Sequence, residues 1–419
     1  MDLDLPANAL AEALRAARTA EQLDAAIDHV ARVAGRFREP ELYGRMLYAS
    51  EVDAAVPVLA QRLKLKDLPG ELSNTRAVVL VSRLYASGGH SRVAADIVRR
   101  LPPASATLVM TDPKRQFRHR QMLNGVPGFD LRAAVLLASA TPAERIVELY
   151  NILAAIRPTR IFLLNHHMDL TAVAAAWPFR DVVEFIHHAD HLPCLGATLP
   201  FAAHVDLTWT CHLACRDAGL RPLYAGLAAP ALAPGEVAAR PGLRVATSGV
   251  QHKFEGRRAH AWADFAAAVL RRPGAEMIHI GATSPEFEQG LRQALAGAGA
   301  DPARYRFVGQ VESVHAALLE HGADVYLSSF PETGGKANLE AMAARIPVIL
   351  PMAAGTPPLL RYDLPLRRWT EVERPDQIDA ALDAALAMAP ALRTPEAVAE
   401  LERELGRFDA YVANEAARP

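Results

Sequence analysis

The chain repeats one pattern: a short continuous apolar run, a turn, then a helical segment. Runs that stay apolar without period-two alternation suit strands buried on both faces, and strands alternating with helices build a parallel sheet covered on both sides. From Arg76 the runs are AVVLVSRL, ATLVMTD, RIFLLN and DVVEFIHH, with helical segments between them, one opened by a Thr141-x-x-Glu144 capping box. Residues 223–242 (LYAGLAAPALAPGEVAARPG) are rich in Ala, Pro and Gly and break the alternation, as a linker does. The pattern then resumes with LRVATSG, AEMIHIG, YRFVGQV, ADVYLSS and IPVILP. Helices are predicted near 259–271, 285–298, 312–321 and from about 337. The reading is α/β: a helical extension at 1–72, a doubly wound domain at 73–225, a second at 240–395 and a closing helix at 396–419.

Composition narrows what such a chain does. Its 419 residues exceed one domain of roughly 150 residues, and 51% hydrophobic against 22% charged residues supplies two cores. Lys and Arg (45) nearly balance Asp and Glu (47), so no net field recruits nucleic acid. Three cysteines, Cys194, Cys211 and Cys215, are too few for a disulfide framework and lack Cys-x-x-Cys spacing, which fits a reducing compartment. Cys211 and Cys215, at i and i+4 of a predicted helix, read as small buried residues rather than metal ligands. The start MDLDLPANAL has acids where a signal peptide carries bases, and no charge-free apolar stretch reaches 18 residues, so a cytoplasmic protein is expected.

The stretch from Ser329 to Ile349, SFPETGGKANLEAMAARIPVI, carries the most chemistry. Gly334 and Gly335 fall where a strand gives way to a helix, so a ligand can approach the backbone and the first-turn amides form an anion site. Glu332 and Glu340 flank them, each able to accept hydrogen bonds from sugar hydroxyls. The bland alternative is an ordinary glycine turn with a solvent-facing Glu.

This segment resembles the Glu-x7-Glu signature of the GT-B glycosyltransferases, above all the retaining family 4 type. Pro331, Glu332, Gly335, Leu339, Glu340, Ala341, Met342, Ala343, Pro347, Val348 and Ile349 fall in register with it. The resemblance implies two Rossmann-like domains and a nucleotide-diphosphate sugar donor of UDP or GDP type. It further implies that Glu332 contacts the donor sugar, that the amides of Gly334, Gly335 and Lys336 meet sugar and diphosphate, and that Glu340 meets the ribose, with Asn338 and Leu339 in the same donor-binding set. Gly334 stands where an aromatic residue is usual and Arg345 where a glycine is common, so the sugar stays undetermined. VATSGVQHKFEG resembles the family's diphosphate-binding opening, with Lys253 the catalytic cation and Ser248 and Gly249 beside it; Ser248 takes the place of the usual Arg.

In the first domain, Gly88, Gly89 and His90 resemble the family's Gly-Gly loop on the acceptor side; G-x-G-x-x-G is not met, which disfavours NAD. Histidines cluster in Asn165-His-His-Met-Asp169 and Ile186-His-His-Ala-Asp-His191, both at carboxyl ends of predicted strands, where open α/β sheets place ligands. His187 or His188 resembles the family's donor-reaching His, His188 being the catalytic candidate, and Asp190 is a candidate orienting carboxylate. A metal centre from two His-His-x-Asp groups is the rival reading, but neighbours on extended chain point to opposite sides, so His187 and His188 do not share one ion. The basic run 113–120 reads as a solvated loop or as a contact for an anionic acceptor or lipid headgroup.

The resemblance thus implies a metal-independent retaining hexosyltransferase of bacterial glycan biosynthesis, with no cofactor and a glycan, lipid-linked or protein acceptor. Peripheral membrane contact and oligomerisation stay open. The alternatives are an inverting protein glucosyltransferase resembling family 41, a nucleotide-sugar 2-epimerase and a metal-dependent hydrolase.

Overall fold

The structure, a computed structural model, describes residues 8–39, 41–68, 76–85, 89–102, 105–113, 134–188, 191–233, 242–256, 259–352, 354, 356–361 and 368–413. Gly88, Asp190 and the basic run beyond Pro113 lie outside the described residues. The chain divides into two units, 1–225 with 409–419 and 226–408. Among the described residues, no helix is long and apolar enough to cross a membrane.

The first unit opens with α1 (Ala9–Ala16), α2 (Ala20–Gly35), α3 (Ser50–Asp53) and α4 (Ala55–Arg62). Thr19 and Gln22 close a capping box on α2 and so satisfy its first amides. Then come β1 (Ala77–Val81), α5 (Gly89–Arg100), β2 (Ala106–Met110), β3 (Val135–Leu136), α6 (Pro142–Ile156), β4 (Arg160–Leu164), α7 (Leu170–Ala176), β5 (Val183–His187), β6 (Ala203–Asp206), α8 (Trp209–Asp217) and β7 (Pro222–Tyr224). The Thr141–Glu144 capping box forms at the start of α6. The seven strands lie in the order β3-β2-β1-β4-β5-β6-β7, all pairs parallel. The sequence predicts four of them; β3, β6 and β7 are shorter or more polar than a buried run.

Helices α1, α2 and α4 do not stand apart as an extension. Leu10, Leu14, Val30, Val56 and Leu59 share one core with Leu149 of α6 and Val173 of α7, in the same cluster as Val78 and Leu80 of β1. Buried Asp53 ties α3 to the segment before β6, accepting from Gly196 N (2.6 Å), Thr198 N (2.9 Å) and Thr198 Oγ1 (2.7 Å). Such a carboxylate is tolerated in a core because its lone pairs are answered.

The second unit runs β8 (Leu243–Ser248), α9 (Trp262–Arg271), β9 (Ala275–Ile280), α10 (Pro285–Gly297), β10 (Tyr305–Gly309), α11 (Val314–Glu320), β11 (Val325–Leu327), α12 (Gly335–Ala343), β12 (Val348–Pro351), β13 (Trp369–Val372), α13 (Ile378–Met388) and α14 (Pro395–Ala413), whose last turn belongs to the first unit. Its sheet order is β10-β9-β8-β11-β12-β13, again all parallel. Successive strand residues point to opposite faces. Val245, Val325, Leu327 and Ile349 enter a core with α9, α10 and α13, while Ala246, Tyr326, Val348 and Leu350 enter one with α11, α12 and α14. Each fully buried Val or Leu side chain contributes about 1.5–3 kcal/mol, which fixes the strand register.

Candidate functional site

In both sheets the first strand of the unit has neighbours that lead away in opposite directions, so the loops after β8 and β11, and after β1 and β4, border a topological switch point. Open α/β sheets bind ligands there, beyond the carboxyl ends of the strands.

In the second unit the two loops are tied together. After β8, Gly249 N donates to Ile280 O (3.0 Å), and a single 3-10 turn carries Lys253. After β11, Ser329 Oγ donates to Glu332 O (2.7 Å) and Ser328 Oγ pairs with Thr333 Oγ1 (2.7 Å), which sets the turn into α12. Glu332 N donates to Lys253 O (3.4 Å), joining the loops. Gly334 caps α12 without any side-chain bond to the first-turn amides, and a Cβ placed on it would lie 3.2 Å from Lys253 Nζ. An ammonium group therefore sits against the amino end of a helix with no acid in its first turn. Helix-start amides and a lysine converging on one spot make a site for an anion.

The acids stand on either side. Glu332 is partly exposed, with His252 Nε2 3.9 Å from its Oε2. Glu340 is buried, and its Oε2 accepts from His315 N (3.2 Å) in the first turn of α11. Ser248 Oγ is 2.8 Å from Tyr326 OH. Burial pushes the Tyr326 hydroxyl well above its ordinary pKa and the Glu340 charge adds to this, although the Ser248 bond opposes it. Asn338 is fully buried, and neither of its amide atoms has a hydrogen-bond partner among the described residues. A buried amide in that state is paired by water or by a bound molecule.

Of the donor set read from sequence, Lys253, Gly249, Gly334, Gly335, Lys336 and Glu332 line these two loops. Glu340 stands behind them on α12. Leu339 is placed otherwise: its side chain is in the core with Met342, where helical spacing puts it. Ser248 is also buried, its hydroxyl committed to Tyr326. Tyr326, His252 and His315 escaped the sequence reading because no local pattern marks them.

The first unit gathers imidazoles at its own switch point. His90 Nδ1, on the first turn of α5, is 3.0 Å from His188 Nε2, just past β5. The His166 ring meets His90 edge-on at 4.9 Å between centroids and stacks on Tyr85 at 5.7 Å. Burial, with His188 and His166 alongside, holds His90 well below its ordinary pKa, so the His90 ring is uncharged at neutral pH. Ser82 Oγ and Thr111 Oγ1 both donate to Asp169, which also caps α7 by accepting from Ala172 N (3.0 Å).

His187 corrects the sequence reading. Its ring is fully buried and turned to the other side of the strand, with Nδ1 3.2 Å from Asp206 Oδ1, 3.4 Å from Cys211 Sγ and 3.6 Å from Cys215 Sγ. No donor contact is open to it in this arrangement. The opposed directions of His187 and His188 follow from the pleat.

No protein-family model matches the chain, and no curated protein matches it. Solved structures do. The lipopolysaccharide outer core galactosyltransferase WaaB superposes with a TM-score of 0.56 at 14% identity, over 81% of this chain and 98% of that one. HepE of Anabaena, in complex with UDP and glucose, gives 0.54 at 12% identity over 81% and 98%. A glycosyltransferase from Rickettsia africae gives 0.54 at 10% identity over 81% and 99%. The fold is therefore α/β with two Rossmann-like parallel-sheet domains, matching GT-B glycosyltransferases.

Proposed function

We propose that this chain is a glycosyltransferase that takes a sugar from a nucleotide diphosphate, UDP first among the candidates, and passes it to a glycan, lipid-linked or protein acceptor. The observation that carries the reading is Lys253 Nζ set against Gly334 at the uncapped start of α12. The likeness to UDP-bound HepE agrees with it. In this reading the diphosphate lies on the amides of Gly335 and Lys336 beside Lys253. As the glycosidic bond breaks, negative charge grows on the leaving phosphate, and fixed N–H dipoles and an ammonium group stabilise that charge more than they stabilise the intact donor. No divalent ion is needed for that step. Glu332 is assigned to the sugar and Glu340 to the ribose. His188 and His90 stand at the first unit's switch point as the polar groups for the acceptor side. The Glu-x7-Glu likeness to family 4 assigns retention at the anomeric carbon.

The test is a thermal-shift and calorimetric screen of UDP, GDP and their sugars on wild type, Glu332→Ala and Glu340→Ala. A stabilising nucleotide is expected, with Glu340→Ala weakening nucleotide binding about 10- to 100-fold and Glu332→Ala weakening only the sugar-bearing form, since losing a charged acceptor costs about 1.5–3 kcal/mol. Equal loss of both forms in both variants, or no response to any nucleotide, refutes the assignment. NMR of the product decides retention. Consumption of a UDP-sugar without acceptor points instead to a 2-epimerase.

A further inference from the structure

The buried cluster around His187 belongs to the first unit and answers to different chemistry. His187 and Asp206 end adjacent parallel strands β5 and β6 and are register partners. Cys211 and Cys215 follow within α8, one turn apart on the same face. One atom from each of the four residues lies within 4.8 Å of every other, and all four residues are fully buried.

The spacing is that of a coordination shell. Tetrahedral zinc with bonds of about 2.0–2.3 Å has ligand-to-ligand edges of about 3.3–3.8 Å. Four of the six edges are 3.2 Å from His187 Nδ1 to Asp206 Oδ1, 3.4 Å from Cys211 Sγ to His187 Nδ1, 3.6 Å from Cys215 Sγ to His187 Nδ1, and 3.4 Å from Cys211 Sγ to Asp206 Oδ1. We propose that His187, Asp206, Cys211 and Cys215 form a structural zinc site that fastens α8 to β5 and β6.

Two further features fit. His204 faces Asp206 Oδ1 with Nε2 at 3.0 Å and the Ala197 carbonyl with Nδ1 at 3.0 Å. That imidazole, whose Nε2 also lies 3.2 Å from His187 Nδ1, holds the ligating carboxylate in place. Asp206 Oδ2 is buried with no hydrogen-bond partner among the described residues. Paired thiolates with imidazole select zinc over magnesium or calcium. With every ligand buried, no position opens to solvent, so the ion holds structure and supplies no catalytic water. Binding drives the two thiol protons to solvent.

The experiment is metal analysis of the full-length protein purified without chelator. About one equivalent of zinc is expected, retained in Cys194→Ser and reduced at least tenfold in the Cys211→Ser, Cys215→Ser double variant. Should that variant fail to fold, wild type is stripped with a chelator and titrated with cobalt(II). Tetrahedral thiolate–cobalt absorption is expected, abolished by one equivalent of zinc and untouched by magnesium. Wild type that neither carries zinc nor binds cobalt overturns the proposal. So does zinc retained in the folded double variant, or a Cys211–Cys215 disulfide in the isolated protein.

Discussion

Gly281 closes β9 with a φ of +150°, and an ideal Cβ there would lie 1.9 Å from Gly249 O and 2.7 Å from Gly249 C. Cβ contacts below 3.0 Å essentially do not occur, and the obstacle is main chain, so it cannot swing aside. Gly281→Ala therefore forces two changes. The residue leaves a backbone region closed to L side chains, which costs about 1–3 kcal/mol. The β9 turn and the Gly249 loop must also separate, an overpacking cost of about 1–3 kcal/mol. Loss of about 2–6 kcal/mol is expected in the second unit, a large share of a typical 5–15 kcal/mol. The displaced loop carries Lys253, so UDP affinity falls with it. Two units need not unfold together, so the assay is native-state hydrogen exchange read at β8 and β9. Gly290→Ala is the internal control: it is an exposed position inside α10 with nothing within 4 Å of the new Cβ, and a gain of about 0.5–1 kcal/mol is expected. Gly281→Ala with less than about 1 kcal/mol lost and unchanged UDP affinity refutes the reasoning.

Lys253→Met keeps the aliphatic stem and removes the charge against Gly334; UDP affinity should fall about tenfold and lose much of its salt dependence in calorimetry. Burial brings His279 down to about 4, against the Gly249 backbone, which acts to raise it. With its pKa below that of the unfolded chain, stability is full above about 6.5 and declines as pH falls toward 4. The loss is about 2 kcal/mol at pH 5, and His279→Gln should flatten that slope in urea titrations at pH 7 and pH 5. Asp53→Ala strands the Gly196 and Thr198 amides and the Thr198 hydroxyl in a core. It should cost the first unit about 3 kcal/mol by hydrogen exchange, whereas Asp53→Asn, which keeps acceptor capacity, should cost less.

Strands flanked by neighbours on both sides announce themselves, which is why β1, β2, β4, β5, β8, β9, β11 and β12 were legible as apolar runs, while the partly buried edge strand β10 was legible from its Tyr, Phe and Val. β7 (PLY) and β13 (WTEV) were not, because edge strands of three or four residues owe their conformation to a neighbour rather than to their own side chains. The residues of Ser329 to Ile349 were legible as a candidate ligand loop since glycine pair, acids and following helix are contiguous. The approach of Lys253 to Gly334 was not, because it depends on β8 and β11 lying side by side. Cys211 and Cys215 show the same limit: their spacing alone says only that they share a helix face. His187 and Asp206 join them through a strand register that a single sequence does not spell.

The Trp262 indole N–H can only donate, and it reaches Tyr305 OH at 3.0 Å; in the tautomer whose Nδ1 carries no hydrogen, the hydroxyl sends its own hydrogen to His279 Nδ1, 2.8 Å away. The relay runs one way, and protonating the imidazole reverses its last link. Trp262 is thus a fluorophore wired to the ionisation of a residue two partners distant, and its emission should report acid loosening of the second sheet before the sheet opens.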